Sequence, residues 1–263
     1  MSALRGLKGL AERAYFRLCL ALGRLLRSAR YSRALIVRRD GELQVRKHRV
    51  FYAPLLVRMG GPLVRILDTG VRVLPQRAWE ERERRIYRRL YGRSIRIAAG
   101  GTLVLPCLAG KTLAALLEDP ELDESLRQRA IERAVIALAA LHRLGFTHGD
   151  AMAENVLVDL DARAAHWIDF ETVHDPTRPL AWRRADDLRA LLATCLVRTA
   201  PGERAETLRR ILDVYADDEV TRALTASFAS VWRRPLAFHL GQAPLSFQAF
   251  REIGRLLRAR IGE

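Results

Sequence analysis

The sequence predicts an α+β fold, in which a strand-rich first part is followed by a part that is mostly helical. Alternating apolar and polar residues around Asp-Gly and Gly-Gly turns indicate short strands up to about residue 105. Farther along the chain, apolar residues recur every three or four positions, which is typical of helices. With 263 residues, of which 49% are hydrophobic, the chain can bury a sizeable core in one large or two small domains.

The first element is a helix predicted at residues 3–29. Apolar residues at helical spacing form one stripe along it: Leu4, Leu7, Ala11, Ala14, Leu18, Leu22 and Leu25. Arginines lie mostly on the opposite side. Such a stripe is explained either by packing against the rest of the protein or by a basic amphipathic helix that lies on anionic lipid. Residues 1–33 are therefore treated as an N-terminal segment of their own.

A hairpin is predicted next, at residues 34–49. Two alternating runs flank Asp40-Gly41, a dipeptide that favours the tight turn between paired strands. Successive side chains of a strand point to opposite faces, so Leu43, Val45 and Lys47 share one face of the second strand.

A helix is predicted at residues 78–91, and Glu83 has an unusual position in it. The apolar face of this helix consists of Trp79, Ile86 and Leu90. Glu83 falls on the same face, although an unpaired charge belongs on the solvated side. Its partner is either a neighbouring arginine, Arg84 or Arg88, or a residue of another element. Two short strands follow around Gly100-Gly101, and this sheet-containing part, residues 34–108, ends in the segment LPCLAG.

Residues 109–263 are predicted to form a helical part with a single hairpin. Helices are expected at 122–144, 183–199, 203–215, 218–233 and 246–260. The first of them is followed by THGDAMAENVLV, residues 147–158. The next stretch, NVLVDLDARAAHWIDFE, predicts a strand, a turn and a second strand, with the strands at 156–159 and 165–168.

The loop after the long helix and the end of the hairpin carry the residue types that phosphoryl transfer requires. That reaction needs a carboxylate to accept the proton of the acceptor hydroxyl, two ligands for magnesium, and a cation that holds the phosphates. Asp150 is the candidate base, and Asn155 and Asp169 are the candidate magnesium ligands. The antiparallel strands return Asp169 to the side of Asn155. His148 is expected to pack beneath the loop and to hold its backbone.

Lys47 and Glu83 complete the predicted site. Lys47 can reach the phosphates of a nucleotide while Val45, on the same strand face, covers the adenine. A pair between Lys47 and Glu83 would explain why a glutamate lies on an apolar helix face. Asp187 is predicted to open the next helix and to cap the backbone of the catalytic loop from below.

The segments HGDAMAEN, residues 148–155, and IDFE, residues 168–171, resemble the catalytic and metal loops of the protein-kinase-like superfamily. Within it, the chain resembles the lipopolysaccharide-kinase and RIO-type branch and, more distantly, the aminoglycoside and choline phosphotransferases. The resemblance extends over residues 34–195. It implies a two-lobed protein-kinase-like fold, with a small antiparallel-sheet N-lobe and a mostly helical C-lobe. ATP and magnesium would bind in the cleft, and Leu105 and Leu108 would line the adenine site at the hinge.

The chain departs from the superfamily pattern at three places. No glycine-rich loop precedes Lys47, Glu171 replaces the glycine of Asp-Phe-Gly, and Met152 takes a position where serine/threonine protein kinases usually have lysine. Only 17 residues separate Asp169 from Asp187, and no Ala-Pro-Glu motif lies among them. A peptide-binding activation segment hardly fits in so short a stretch, which favours a small or glycolipid acceptor.

The predicted function is therefore an ATP- and magnesium-dependent kinase that transfers the γ-phosphate to a hydroxyl group of a sugar or glycolipid. Two alternatives stay open: an atypical RIO-like serine protein kinase, and a catalytically silent pseudokinase that acts as a binding module. The missing glycine-rich loop favours the pseudokinase, whereas the presence of Asp150, Asn155 and Asp169 together argues against it.

Charge and cysteine content suggest the partners and the compartment. The net charge of +15 reflects either a general use of arginine or an anionic partner, and with the resemblance it favours an anionic sugar or glycolipid acceptor. Nucleic acid is not expected, because no aromatic platform or binding motif accompanies the charge. Three scattered cysteines, the lack of a long apolar segment and the arginines and lysines near the N-terminus predict a cytoplasmic protein. Its N-terminal helix would contact the inner face of the membrane peripherally. The sequence does not indicate an oligomeric state.

Overall fold

The structure is a computed structural model that describes residues 9–18, 20–21, 32–50, 70–229 and 245–262. It confirms the predicted α+β class, with a small antiparallel sheet in the first part and helices in the second. Residues 9–18 and 20–21 are helical and are called α1. The stripe residues Leu4, Leu7, Leu22 and Leu25 lie outside the described residues.

The main sheet has four strands in the order β1-β2-β5-β4, and every neighbouring pair is antiparallel. Its strands are β1 (Ser32–Arg39), β2 (Glu42–Arg49), β4 (Arg96–Ala98) and β5 (Thr102–Pro106). The predicted hairpin is present: Asp40 and Gly41 adopt positive φ values of 52° and 83°, as a tight hairpin turn requires. Leu43, Val45 and Lys47 therefore follow one another along one face of β2.

Helix α2 (Gln76–Tyr91) packs its apolar face into the core, as the sequence predicts. Trp79 and Ile86 are fully buried, and so is Glu83 between them. The helix ends at Gly92, whose left-handed conformation directs its N–H to the carbonyl of Tyr87.

Six further helices form the second part of the described chain. They are α3 (Leu113–Glu118), α4 (Glu124–Arg143), α5 (Leu180–Leu196), α6 (Arg204–Tyr215), α7 (Asp218–Phe228) and α8 (Phe247–Ile261). Asp123 caps α4, accepting a hydrogen bond from the N–H of Leu126. The predicted start of helix α5 at residue 183 is wrong: the helix begins at Leu180, directly after Pro179, so Asp187 lies inside it. Helix α7 is described as far as Phe228, and residues 230–233 of its predicted range lie outside the described residues.

The described residues also form two small sheets. In the first, β6 (Lys111–Thr112), β7 (Val156–Asp159) and β8 (Ala164–Trp167) pair in that order, and β7 with β8 is the predicted hairpin. In the second, β3 (Val71–Val73) pairs with β9 (Thr172–His174), which the sequence does not predict. The second pairing attaches the strand before α2 to the chain that follows Asp169.

Helix α1 packs on the C-terminal helix α8, but not through its predicted apolar stripe. Phe16 is buried, and its ring lies 5.4 Å from that of Phe247 and 5.6 Å from that of Phe250. The stripe residues Ala11, Ala14 and Leu18 are exposed instead. No helix in the described ranges is both long and apolar enough to cross a bilayer.

Candidate active site

The candidate catalytic loop follows α4 and is held by Asp187 of helix α5. The carboxylate of Asp187 accepts hydrogen bonds from the backbone N–H of His148 at 2.7 Å and of Gly149 at 2.8 Å. Gly149 has a φ of 87°, and a Cβ atom built on it would lie 2.9 Å from Oγ1 of Thr172. Glycine is therefore required at this turn. Asp187 caps the loop as the sequence predicts, although it lies in the middle of its helix.

Asp150 projects one carboxylate oxygen that has no partner among the described residues. Its Oδ2 accepts a hydrogen bond from Nδ2 of Asn155 at 3.0 Å, whereas its Oδ1 is buried and unpaired. Burial, reinforced by the negative charge of Asp169, raises the pKa of Asp150 to about 8, against the lowering effect of the Asn155 hydrogen bond. A carboxylate of raised pKa with a free oxygen is suited to accept a proton from a hydroxyl group.

Asn155 and Asp169 lie side by side because the β7–β8 hairpin folds back. The backbone N–H of Ile168 donates to the carbonyl of Asn155 at 2.9 Å, which joins the two loops. The next residue, Asp169, has a φ of 71°. Its side chain is 39% exposed, so a ligand can reach it from the solvent.

These two side chains fit a magnesium site that is completed by nucleotide phosphates. The amide nitrogen of Asn155 is occupied by Asp150, and its amide oxygen makes no hydrogen bond within the described parts of the chain. Magnesium is usually held by one or two carboxylates together with phosphate oxygens and water. Three or more His, Cys, Asp or Glu residues arranged as a metal site do not occur among the described residues. A closed all-protein cage is therefore not what this part of the chain offers.

Lys47 contacts three carboxylates at once. Its Nζ atom lies 2.6 Å from Asp169, 3.1 Å from Glu171 and 3.2 Å from Glu83. Burial alone would lower the pKa of Lys47, but the three negative charges outweigh it and hold the pKa well above its ordinary value. The ammonium group therefore stays charged at neutral pH.

Glu83 is the most firmly fixed of the three partners. Its Oε1 accepts hydrogen bonds from Lys47, from Nε1 of Trp79 at 3.2 Å and from the backbone N–H of Phe170 at 3.2 Å. The predicted pair between Lys47 and Glu83 is thus present. Trp79 and Phe170 hold the glutamate in place whether or not Lys47 is bound to something else.

His148 supports the loop from beneath. Its ring is fully buried, lies 4.7 Å from that of Phe170, and its Nε2 is 2.9 Å from the carbonyl oxygen of Ile168. Burial lowers the pKa of His148 to about 4, so the ring is neutral at pH 7 and Nε2 donates to that carbonyl. His148 is therefore placed to orient the two loops rather than to exchange protons.

The predicted adenine-contacting residues lie near one another, but they do not line one cavity. Val45 pairs with Leu105 across β2 and β5, and with Ile36 across the hairpin. A cavity of about 710 Å³ beside the segment after β5 is lined by Leu105 and Leu108, and not by Val45 or Lys47. Ile36, which is 67% exposed, is not among the adenine-contacting residues predicted from the sequence. Its place opposite Val45 follows from counting back symmetrically from Asp40-Gly41.

Glu171 and Ser32 are further site residues that the sequence does not assign. The hydroxyl of Ser32, the first residue of β1, donates to Glu171, which also contacts Lys47. Burial, together with the neighbouring charge of Asp169, raises the pKa of Glu171. The sequence shows only that a glutamate replaces glycine here, because the approach of β1 to this loop is a contact over 139 positions.

A buried polar network supports the catalytic loop from the helical side. Nε2 of His142 lies 2.9 Å from Asp187, and its Nδ1 lies 2.6 Å from the hydroxyl of Tyr215 on α6. Nδ1 of His174 lies 2.9 Å from Oγ1 of Thr147. These side chains are all buried, so the loop is anchored to helices α4, α5 and α6.

Part of the chain matches a known protein family. Residues 103–215 match the model of the lipopolysaccharide kinase (Kdo/WaaP) family. The chain is a kinase. It is a phosphotransferase with a hydroxyl acceptor, and its predicted resemblance to lipopolysaccharide kinases is confirmed. The match covers less than half of the chain, and no curated protein matches it.

The family match falls on the second part of the described chain and on the end of the main sheet. It includes most of β5, the helical part up to Tyr215, and the loops that carry Asp150, Asn155 and Asp169. Lys47 and Glu83 precede it. The α+β architecture, with a small antiparallel sheet before the helical part, is that of a protein-kinase-like fold. A kinase uses a nucleotide as its phosphate donor.

Proposed function

We propose that this kinase transfers the γ-phosphate of ATP, with magnesium, to a hydroxyl group on a sugar or glycolipid. The observation that carries the proposal is the convergence of Asp150, Asn155, Asp169 and the Lys47–Glu83 pair in one connected cluster of contacts. Together these side chains would supply the proton acceptor, the magnesium ligands and the phosphate-binding cation that phosphoryl transfer requires, and no two of them are neighbours in sequence.

Each side chain has a defined task in this proposal. Asp150 accepts the proton of the attacking hydroxyl through its free Oδ1. Asn155 and Asp169 would hold magnesium, which neutralises charge on the phosphates when bound. Lys47 exchanges carboxylate partners for phosphate oxygens, and Glu83 keeps it in place. His148 orients the loops through the carbonyl of Ile168.

The proposed nucleotide site lies between the two predicted lobes. Residues 34–108 would form the nucleotide-binding N-lobe, with Val45, Leu105 and Leu108 against the adenine, and residues 109–263 the helical C-lobe. Register supports the adenine position, because Val45 lies opposite both Ile36 and Leu105 on the strand that carries Lys47. The exposed side chain of Ile36 would be covered by the base.

A small or glycolipid acceptor agrees better with the geometry than a protein acceptor. Only ten residues, 170–179, separate Asp169 from the start of α5 at Leu180, and three of them form β9, which pairs with β3. This stretch presents no helix or long loop on which a peptide could lie. An anionic sugar at the mouth of the cleft would also suit the net charge of +15.

We further propose that α1 brings the kinase to an anionic membrane surface, where a glycolipid acceptor would lie. The face of α1 that points away from α8 carries Leu10, Ala14 and Leu18, flanked by Arg13 and Arg17. Leu10 is 68% exposed and Leu18 is 55% exposed. An apolar strip beside arginines suits the boundary between lipid headgroups and acyl chains.

The test is magnesium-dependent consumption of ATP by the wild type and by Asp150→Ala, first without acceptor and then with a lipopolysaccharide core extract. Turnover that requires both Asp150 and the extract is expected. Phosphate appearing on the protein itself, with no response to the extract, would favour a RIO-like serine kinase. Binding of ATP without transfer in any condition would contradict the proposal and favour a pseudokinase.

A further inference from the structure

Helix α2 is attached to the metal loop at both of its ends. At its C-terminal end, the hydroxyl of Tyr91 donates to the carbonyl of Trp167 at 2.5 Å, two residues before Asp169. Before its N-terminal end, the N–H of Leu74 donates to the carbonyl of Glu171 at 2.9 Å, next to the β3–β9 pair. The helix that carries Glu83 is therefore fixed to the residues on either side of Asp169.

Arg82 connects the same helix to the other functional loop. Its Nη2 donates to the backbone carbonyl of Thr147 at 2.5 Å, and the side chain is buried. The next two residues, His148 and Gly149, donate their N–H groups to Asp187. The three-residue segment before Asp150 is thus bonded through its carbonyl to the N-terminal part of the chain and through its amides to helix α5.

The burial of Arg82 suggests a reason beyond attaching the helix. A guanidinium group taken out of water costs free energy, so arginine is seldom buried without a function or a strong partner. Burial lowers the pKa of Arg82 to about 10, against the raising effect of Asp187, and the group stays charged at pH 7. Tyr91 and strand β3 already attach α2 to the rest of the protein, so the attachment of this helix alone does not explain why a guanidinium group is buried.

We propose that Arg82 is a positioning residue, which fixes the Thr147 carbonyl and thereby sets Asp150 against the nucleotide that Lys47 and Glu83 orient. This inference rests on the proposed function, because it gives Asp150 the role of the base. Arg82 and Glu83 are adjacent in the chain but would position different groups: Glu83 orients the phosphate-binding lysine, and Arg82 orients the catalytic loop.

The contacts predict which property changes when Arg82 is lost. Glu83 keeps the hydrogen bonds from Trp79 and Phe170, so the site of the nucleotide stays formed. The catalytic loop loses one of its fixed points, and a small displacement of Asp150 lowers turnover strongly. Loss of Arg82 should therefore reduce kcat while it leaves the affinity for nucleotide nearly unchanged.

The experiment compares Arg82→Met, Arg82→Lys and the control Arg89→Met with the wild type. Arg89 lies on the same helix and is exposed. Three properties are measured: hydrogen exchange of the His148 and Gly149 amides, the Kd of magnesium-ADP, and ATP turnover with water or core extract as acceptor. Melting temperatures show that each variant is folded. Arg82→Lys keeps a cationic donor for the Thr147 carbonyl if Arg82→Met does not fold.

We expect Arg82→Met to raise exchange of both amides and to lower kcat about tenfold or more, with Kd changed by less than about threefold. Arg82→Lys should recover part of kcat, and Arg89→Met should match the wild type. Unchanged exchange and kcat in Arg82→Met, or a loss of affinity in proportion to kcat, would overturn the inference. If the wild type binds magnesium-ADP but transfers no phosphate, the proposed function fails, and amide exchange alone then decides the role of Arg82.

Discussion

At the scale of single residues, Asp150 is electrostatically unusual because its folded-state pKa of about 8 lies well above the ordinary value for aspartate. At a pH between the ordinary pKa of aspartate, about 4, and the folded-state pKa of about 8, the folded protein binds more protons at Asp150 than the unfolded chain does. Stability therefore falls as the pH rises through that window. The deprotonated carboxylate of Asp150, which is the form that accepts a proton, therefore lowers the free energy of unfolding at neutral and alkaline pH.

Replacement of Asp150 by asparagine should remove this cost together with the activity. Asp150→Asn keeps an acceptor for the amide of Asn155 but cannot ionise. We expect phosphoryl transfer to be lost and the free energy of unfolding to rise by about 1 kcal/mol or more at pH 8, with little change at pH 4. Urea unfolding at the two pH values measures the difference, with the exposed Asp161→Asn as control. A variant less stable than the wild type at pH 8 would contradict this account.

Lys47 gives the opposite kind of prediction, because its positive charge stabilises three neighbouring carboxylates, two of which, Glu83 and Glu171, are buried. Lys47→Met leaves Asp169, Glu171 and Glu83 facing one another without their cation. The pKa values of Asp169 and Glu171 then rise above those of the unfolded chain, so the stability of the variant should fall as the pH rises from about 4. The loss should approach about 3 kcal/mol at pH 8 and shrink at pH 5.

The measurement is again urea unfolding at both pH values, and Lys111→Met is the matched control. Lys111 is exposed and lies 3.5 Å from Asp119 at the surface, so its removal should change stability by less than about 0.5 kcal/mol. Equal losses in the two variants, or a loss in Lys47→Met that does not depend on pH, would contradict the electrostatic interpretation.

Single residues also show how far the sequence alone reaches into this site. Asp150, Asn155 and Asp169 are predictable because their spacing is short and a hairpin returns the last to the first. Lys47 and Glu83 are predictable only as residues that need a partner. The contacts of Arg82 with Thr147 and of Ser32 with Glu171 are not, because they join strand and helix positions far apart in the chain.

At the scale of elements, the turn between the two parts of the chain depends on one glycine. Gly110 has a φ of 112°, and a Cβ atom built on it would lie 2.6 Å from the backbone carbonyl of Val158 in β7. Backbone cannot yield as a flexible side chain can, so strand β6 would have to move away from β7. That movement would disturb the small sheet whose hairpin returns Asp169 to Asn155.

Gly110→Ala should therefore lower the free energy of unfolding by about 1 to 3 kcal/mol. Gly202→Ala is the matched control, because no φ constraint applies there and no atom lies within 4 Å of the added Cβ. Thermal or urea unfolding of both variants measures the effect. Equal stabilities would show that β6 and β7 separate without cost.

Elements differ in how well the sequence predicts them. Hairpins and amphipathic helices depend on neighbouring residues, so β1–β2, β7–β8 and helix α2 are where the pattern places them. The β3–β9 pair joins strands of three residues about 100 positions apart, and segments so short carry no readable alternation. The packing face of α1 is missed for a related reason: Phe16 is buried by the distant helix α8.

At the scale of the whole molecule, the exposed face of α1 and the net charge of +15 would both favour binding to an anionic membrane surface. Phe16 and the contact between Glu12 and Arg251 hold the helix on α8, so its other face is presented as a fixed surface. Leu10 and Leu18 lie on that surface beside Arg13 and Arg17. Apolar insertion would supply part of the binding free energy, and attraction to anionic headgroups the salt-dependent remainder.

Binding to vesicles separates these two contributions. The kinase should bind vesicles that contain anionic lipid, bind neutral vesicles more weakly, and lose affinity as salt is raised. The double variant Leu10→Ser/Leu18→Ser should reduce binding about tenfold or more at every salt concentration, because burial of two leucines is lost. Ile136→Ser, which removes an exposed apolar side chain from helix α4, should bind like the wild type. Vesicle sedimentation measures all three proteins. If the double variant and the wild type bind alike, the membrane contact is not made by this face of α1.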